Sequence, residues 1–64
     1  MSIGAKLKAL RVEKKKSQQE AADDLQITKS SLAMYERGAR IPRDEVKVRI
    51  ANYYGETVQS LFYT

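Results

Sequence analysis

Four basic side chains gathered between residues 29 and 43, Lys29, Arg37, Arg40 and Arg43, against the single acid Glu36, give this sequence its clearest binding chemistry, which is attraction for an anion. The rest of the charge is sorted as well. Residues 1 to 16 hold six basic groups and one acid, residues 17 to 28 hold three acids and no base, and the remainder is slightly acidic, for a net charge of +4. The total is modest, so the distribution carries more information than the sum. A charge run alone is more often an ordinary solvated helix face, and only its place on a fold overturns that reading.

What is missing narrows the chemistry further. With no Cys and no His in 64 residues, no disulfide framework, no Cys/His zinc site and no imidazole acid-base pair can be built. No phosphate-cradling glycine loop and no carboxylate pair in a plausible cleft is evident, so the expectation is a non-enzyme with no catalytic residue, no metal, no cofactor and no small-molecule site. The apolar stretches are only a few residues long, and no hydrophobic segment follows the basic N-terminal residues. Neither a membrane span nor a signal peptide is expected, and the expected location is cytoplasmic. The length suits one domain over residues 1–64, with a thin core: a chain of this size buries only about 60% of the surface it exposes when unfolded.

The elements that position the basic groups follow from spacing and caps. Ile3, Leu7 and Leu10, separated by Lys6, Lys8, Glu13 and Lys14, form the stripe of an amphipathic helix over about Ser2 to Lys15. Ser17-Gln18-Gln19-Glu20 is a capping box that starts a second helix, with Ala21, Ala22 and Leu25 inward. Gln26-Ile27-Thr28 leaves room only for a tight turn, and Thr28 is the next N-cap. The third helix then carries Lys29, Ser30 and Ser31 in its first turn, turns Leu32 and Tyr35 to the core, and ends at Gly38. Arg40-Ile41-Pro42-Arg43 reads as a loop. Val46, Val48 and Ile50 alternate with Lys47 and Arg49 as a half-buried strand would, yet a lone strand here has no partner. A fourth helix starting after Arg43 or Asp44 and ending at Gly55 is the better reading. Thr57 caps a short fifth helix with Val58, Leu61 and Phe62.

Two short helices joined by a tight turn, the second opening on polar residues, form the unit that sets a recognition helix in the major groove of DNA. In the run Ser17-Gln18-Gln19-Glu20-Ala21-Ala22, then Leu25, Ile27, Thr28, Leu32, Tyr35-Glu36-Arg37-Gly38 and Pro42, the chain closely resembles the phage repressor and Cro type of helix-turn-helix domain. The likeness extends from Ile3 through Arg11 to Leu61-Phe62. It implies an all-α, five-helix lambda-repressor-like fold with the helix-turn-helix made by the second and third helices. It also implies a bacterial or phage-encoded transcription regulator, in the sense of a repressor, binding double-stranded DNA as a homodimer on an inverted repeat.

Residue roles follow from the same resemblance. Gln18, first in the second helix, would bind a phosphate. Lys29, Ser30, Ala33 and Met34 would face base edges, Arg11 and Glu36 would tie the first helix to the end of the third, and Arg37, Arg40 and Arg43 would lie near phosphates. Several of these roles have a physical basis of their own. A helix N-terminus offers unpaired amides and a partial positive charge to a phosphate, against the plainer reading of Gln18 as a solvated first-turn residue. Lys29 can donate to guanine O6 and N7 or reach a phosphate, and Ser30 can bond to several bases. Met34 could meet thymine methyl groups, although a Met at helical spacing more often packs in a core.

Three positions depart from the family pattern. Ala21 stands where Leu is usual, Gln26 where the turn commonly has Gly, and Lys47 where an apolar residue is expected. The last leaves two options: a rotated fourth helix, or a lysine stem laid over the core with its head in water. Tyr53, Tyr54, Phe62 and Tyr63 exceed what so small a core hides. Core packing suits Tyr54 and Phe62, and others could form a dimer patch. The alternative function is a protein-interaction module, antitoxin-like or anti-regulator, on the same frame; the basic segment from Arg37 to Arg43 argues against it.

Overall fold

The computed structural model describes residues 2–63, and local signals account for most of its helix boundaries. The helices are α1 (Ile3–Glu13), α2 (Gln18–Leu25), α3 (Lys29–Arg37), α4 (Asp44–Tyr54) and α5 (Val58–Phe62). No strand occurs among the described residues, so the alternating Val46-Val48-Ile50 segment is helical, with Ile50 buried, Val46 partly buried and Val48 exposed. Hydroxyls open four of the five helices. Ser2, Ser17, Thr28 and Thr57 accept from the amides of Ala5, Glu20, Ser31 and Ser60 at 3.0 to 3.2 Å. At Ser17 the box is complete, because its amide donates to Glu20 Oε1 at 2.9 Å, and these bonds hold the Glu20 carboxyl below its ordinary pKa. Arg43 makes no side-chain cap for α4, whose first turn instead has Asp44 and Glu45 facing the helix dipole.

The helix ends share one device. At the ends of α1 to α4 a left-handed residue lets the next amide reach back five residues, as in Lys16 to Arg11 O, Ile27 to Ala22 O, Ala39 to Met34 O and Glu56 to Ala51 O. Gly38 and Gly55 occupy two of these left-handed positions, but Lys15 (φ 61°) and Gln26 (φ 59°) occupy the others. That is why α1 stops at Glu13, short of the expected Lys15. A left-handed non-glycine costs about 1–2 kcal/mol, partly offset by the extra chain entropy glycine loses on folding. Gln26→Gly is therefore expected to raise stability by about 0.5–1 kcal/mol in a denaturant melt, and a loss of stability would show that the Gln26 side chain contributes packing that outweighs its strain.

Leu7, Ala21, Ala22, Leu25, Leu32, Tyr35, Ile50, Ala51, Leu61 and Phe62 form one buried cluster, with Leu10, Ile27, Val46, Tyr53, Tyr54 and Val58 against it. Helix α3 is the centre of the helix-turn-helix: it packs on α1 and α2, while α4 closes the core against α2 and α5. One expected face is corrected. The buried side of α1 is Gly4, Leu7 and Arg11, while Ile3 is 37% exposed and Leu10 only partly covered. The reason lies in Gly4. A Cβ built there would stand 2.8 Å from the Glu36 carbonyl carbon and 2.9 Å from the Tyr35 carbonyl oxygen, so α1 approaches the α3 backbone more closely than any side chain allows. Gly4→Ala gains about 1 kcal/mol of helix propensity but forces backbone apart at a typical cost of about 1–3 kcal/mol. The expected net loss is up to about 2 kcal/mol, read as a lowered melting temperature; a raised one would show that the contact relaxes freely.

Lys47 takes the second of its two options. Its side chain is 11% exposed, its Nζ donates to Tyr63 Oη at 2.8 Å, and it lies 4.7 Å from the centre of the Tyr63 ring and 5.7 Å from that of Phe62. The methylenes cover the α4–α5 seam while the ammonium is held by Tyr63, which raises its pKa. No helix among the described residues is long and apolar enough to cross a membrane.

Candidate nucleic-acid interface

The outer side of α3 is set by its inner side. Leu32 and Tyr35 are packed in the core and Glu36 is buried against α1, which leaves Lys29, Ser30 and Arg37 exposed and Ala33 and Met34 half-buried on the flank. Met34 is thus neither a core residue nor a free one. The Thr28 cap holds the first turn, with its hydroxyl also donating to Ser31 Oγ at 2.9 Å. Lys29 and Ser30 are consequently presented on ordered backbone at the open end of the helix, as side chains that read base edges need to be.

Arg40 and Arg43, both exposed, come together with Ser31 and Arg49 around a groove between the α2–α3 turn and the start of α4. Arg37 is on α3 itself, outside that groove's lining. Pro42, between the two arginines, is buried and pins the loop to the body. Arg49 was not singled out in the sequence. Its Nη1 donates to the Leu25 carbonyl at 2.7 Å, where it meets the negative end of α2, and no local pattern announces a partner 24 residues away.

Behind α3, Arg11 and Glu36 are joined by two bonds, Nε to Oε2 at 2.8 Å and Nη2 to Oε1 at 3.2 Å, with side chains 11% and 3% exposed. Arg11 Nη1 also donates to the Lys16 carbonyl at 2.8 Å, which links the pair to the turn before α2. The bond to Glu36 raises the Arg11 pKa. Gln18 points inward to this pair: its Nε2 donates to Glu36 Oε1 at 3.1 Å, and its side chain is half-buried rather than solvated. The amides of Gln18 and Gln19, in the first turn of α2, precede its first helical bond, from Ala21 N to the Ser17 carbonyl, and so have no helical partner. Tyr54 abuts the pair with a buried hydroxyl that finds no partner among the described residues; burial, then the charge of Glu36, push its pKa up to about 12.

A second polar cluster sits at the far ends of α1 and α2. Tyr53 Oη donates to Asp24 Oδ2 at 2.6 Å, Lys16 approaches Asp24 at 3.4 Å, and Lys14 lies 4.9 Å from the centre of the Tyr53 ring. Burial and Asp24 raise the Tyr53 pKa, and the Tyr53 bond lowers that of Asp24. Two of the aromatic residues in excess are thus accounted for within the chain: Tyr53 by this cluster and Phe62 by the core. Tyr63 remains 54% exposed. No group of three or more acidic, His or Cys side chains suited to a metal gathers among the described residues.

A short α2, a tight left-handed turn and an α3 whose polar flank is open beside exposed arginines define the class: a DNA-binding helix-turn-helix domain of the phage repressor and Cro type. Residues 7–61 match the helix-turn-helix family, and the chain belongs to it. It is also 32% identical over 59 residues to the cryptic phage CTXphi transcriptional repressor RstR of Vibrio cholerae, covering 92% of this chain and 53% of that protein. The chain spans about half the length of this curated relative. No solved structure matched it.

Proposed function

We propose that residues 1–64 form a single domain that binds duplex DNA as a transcription regulator, a repressor in the manner of its relative's name, with α3 in the major groove. The observation that carries this reading is the division of α3: one side is engaged by α1 and α2, and the other presents the exposed Lys29, Ser30 and Arg37, followed in the chain by the exposed Arg40 and Arg43. Lys29, Ser30, Ala33 and Met34 face base edges. Gln18 and the three arginines take phosphates, which position the domain without reading sequence. A symmetric homodimer then places two α3 helices about one helical turn apart on an inverted repeat. The domain acts on DNA in the cytoplasm of a bacterium, and this role requires no catalysis.

Selection from a pool of random duplexes at near-physiological salt tests the reading. Enrichment of an inverted repeat is the expected result, whereas weak binding that vanishes as salt rises, with no enriched sequence, would remove it. On the selected duplex, Lys29→Ala and Ser30→Ala should each cost about 1–3 kcal/mol against the preferred base and relax specificity at one position. Competition with duplexes altered one base pair at a time measures this. Equal losses on every sequence would mean that Lys29 meets a phosphate.

A further inference from the structure

We propose that Glu36 is a positioning residue for DNA binding, acting through Gln18: the buried Arg11–Glu36 pair holds the Gln18 side chain in one rotamer and so prepares the phosphate site at the start of α2. This rests on the DNA-binding reading above and adds a residue that touches no DNA. Glu36 Oε1 accepts from both Arg11 Nη2, at 3.2 Å, and Gln18 Nε2, at 3.1 Å. A carboxylate only accepts, so the amide nitrogen of Gln18 must face it, and the orientation of the amide is fixed by chemistry. One N–H of that nitrogen is then spent on Glu36. The other, with the backbone amides of Gln18 and Gln19, is left for a phosphate oxygen.

The advantage is entropic. A free glutamine loses its rotamer freedom when it meets a phosphate, and a held one has lost it already, a difference of about two- to tenfold in affinity. Glu36 is well placed to hold it, since its side chain is 3% exposed and Arg11 fixes it from the other side. Glu36 is the second-last residue of α3 and Gln18 the first of α2, so a single carboxylate sets the phosphate-binding end of one helix against the base-reading helix.

The test is a binding cycle on the selected duplex with four proteins: native, Gln18→Ala, Arg11→Met with Glu36→Met, and all three changes together. The methionine pair removes one charge of each sign and leaves the net charge unchanged, so the salt dependence should stay the same, and apolar replacement of a buried pair often preserves the fold. Gln18→Ala should weaken binding about two- to tenfold in the native background and by less than about twofold in the methionine background. Equal losses in both backgrounds, or native affinity in the methionine pair, would overturn the proposal. A second readout needs neither variants nor DNA. In the free native protein the Gln18 side-chain amide protons should give nitrogen-edited magnetic resonance signals displaced from those of solvated glutamines; signals at the solvated position would overturn the holding role. A native protein that binds no duplex removes the DNA-binding reading, and the inference with it, while the amide signals still report separately whether Glu36 holds Gln18.

Discussion

Glu36→Ala is expected to destabilise the domain by about 3–5 kcal/mol, the cost of leaving a buried guanidinium without its counter-charge. The environment warrants the upper part of the usual range for point changes. Arg11 is 11% exposed at its side chain, two of its three hydrogen bonds lose their acceptor, and Glu36 itself is buried between α1 and α3. Against a total of roughly 3–10 kcal/mol for a domain of this length, that loss removes about a third of the stability at the upper end of the range and all of it at the lower. The melting temperature should fall by about 12 °C or more, measured by far-ultraviolet circular dichroism. The contrast with the methionine pair is the informative comparison. Removing both charges and filling the space should restore most of the loss, because the penalty comes from the stranded charge rather than from the missing attraction. A melting temperature within a few degrees of native for Glu36→Ala would mean that water reaches Arg11, and the pair would then count as a surface contact worth about 0–1 kcal/mol.

Changing Arg37, Arg40 and Arg43 together to Gln should leave the fold nearly intact and remove much of the affinity. All three are exposed. Each phosphate neutralised contributes about −0.9 to the slope of log affinity against log salt, so three lost contacts should flatten the slope by about 2.7. Over a fourfold rise in salt, the native protein should therefore lose roughly 40 times more affinity than the variant. Base preference should not change, because these side chains position rather than read. Titration of the selected duplex at several salt concentrations, with the native protein beside the variant, measures both quantities. A native slope in the variant would place the three arginines away from the backbone and would require α3 to be docked differently.

Much of the frame was legible because its signals are local. Ser17 and Glu20 lie within one turn of each other, Thr28 is three residues from the amide it caps, and Gly38 and Gly55 stop helices through their own backbone freedom. Leu25, Leu32 and Tyr35 were placed inward by period alone, and they are buried. The rotation of α1 was not legible in the same way. A stripe of Ile3, Leu7 and Leu10 and a face of Gly4, Leu7 and Arg11 share a residue, and glycine carries no hydrophobic signal to decide between them. What decides is how close the α3 backbone comes to Gly4.

The sequence by itself determined where the four hydroxyl-capped helices begin, which helices form the helix-turn-helix, and which side of α3 is polar, since capping, periodicity and turn chemistry act over three or four residues. Only the tertiary structure decided the distant partners of Gln18, Arg49 and Lys47. Gln18 turns in to Glu36 across 18 positions, Arg49 reaches the Leu25 carbonyl across 24, and Lys47 lies along Phe62 and Tyr63. Long polar side chains have several rotamers of similar energy, and a choice among them is made only when packing brings a specific acceptor or ring within reach.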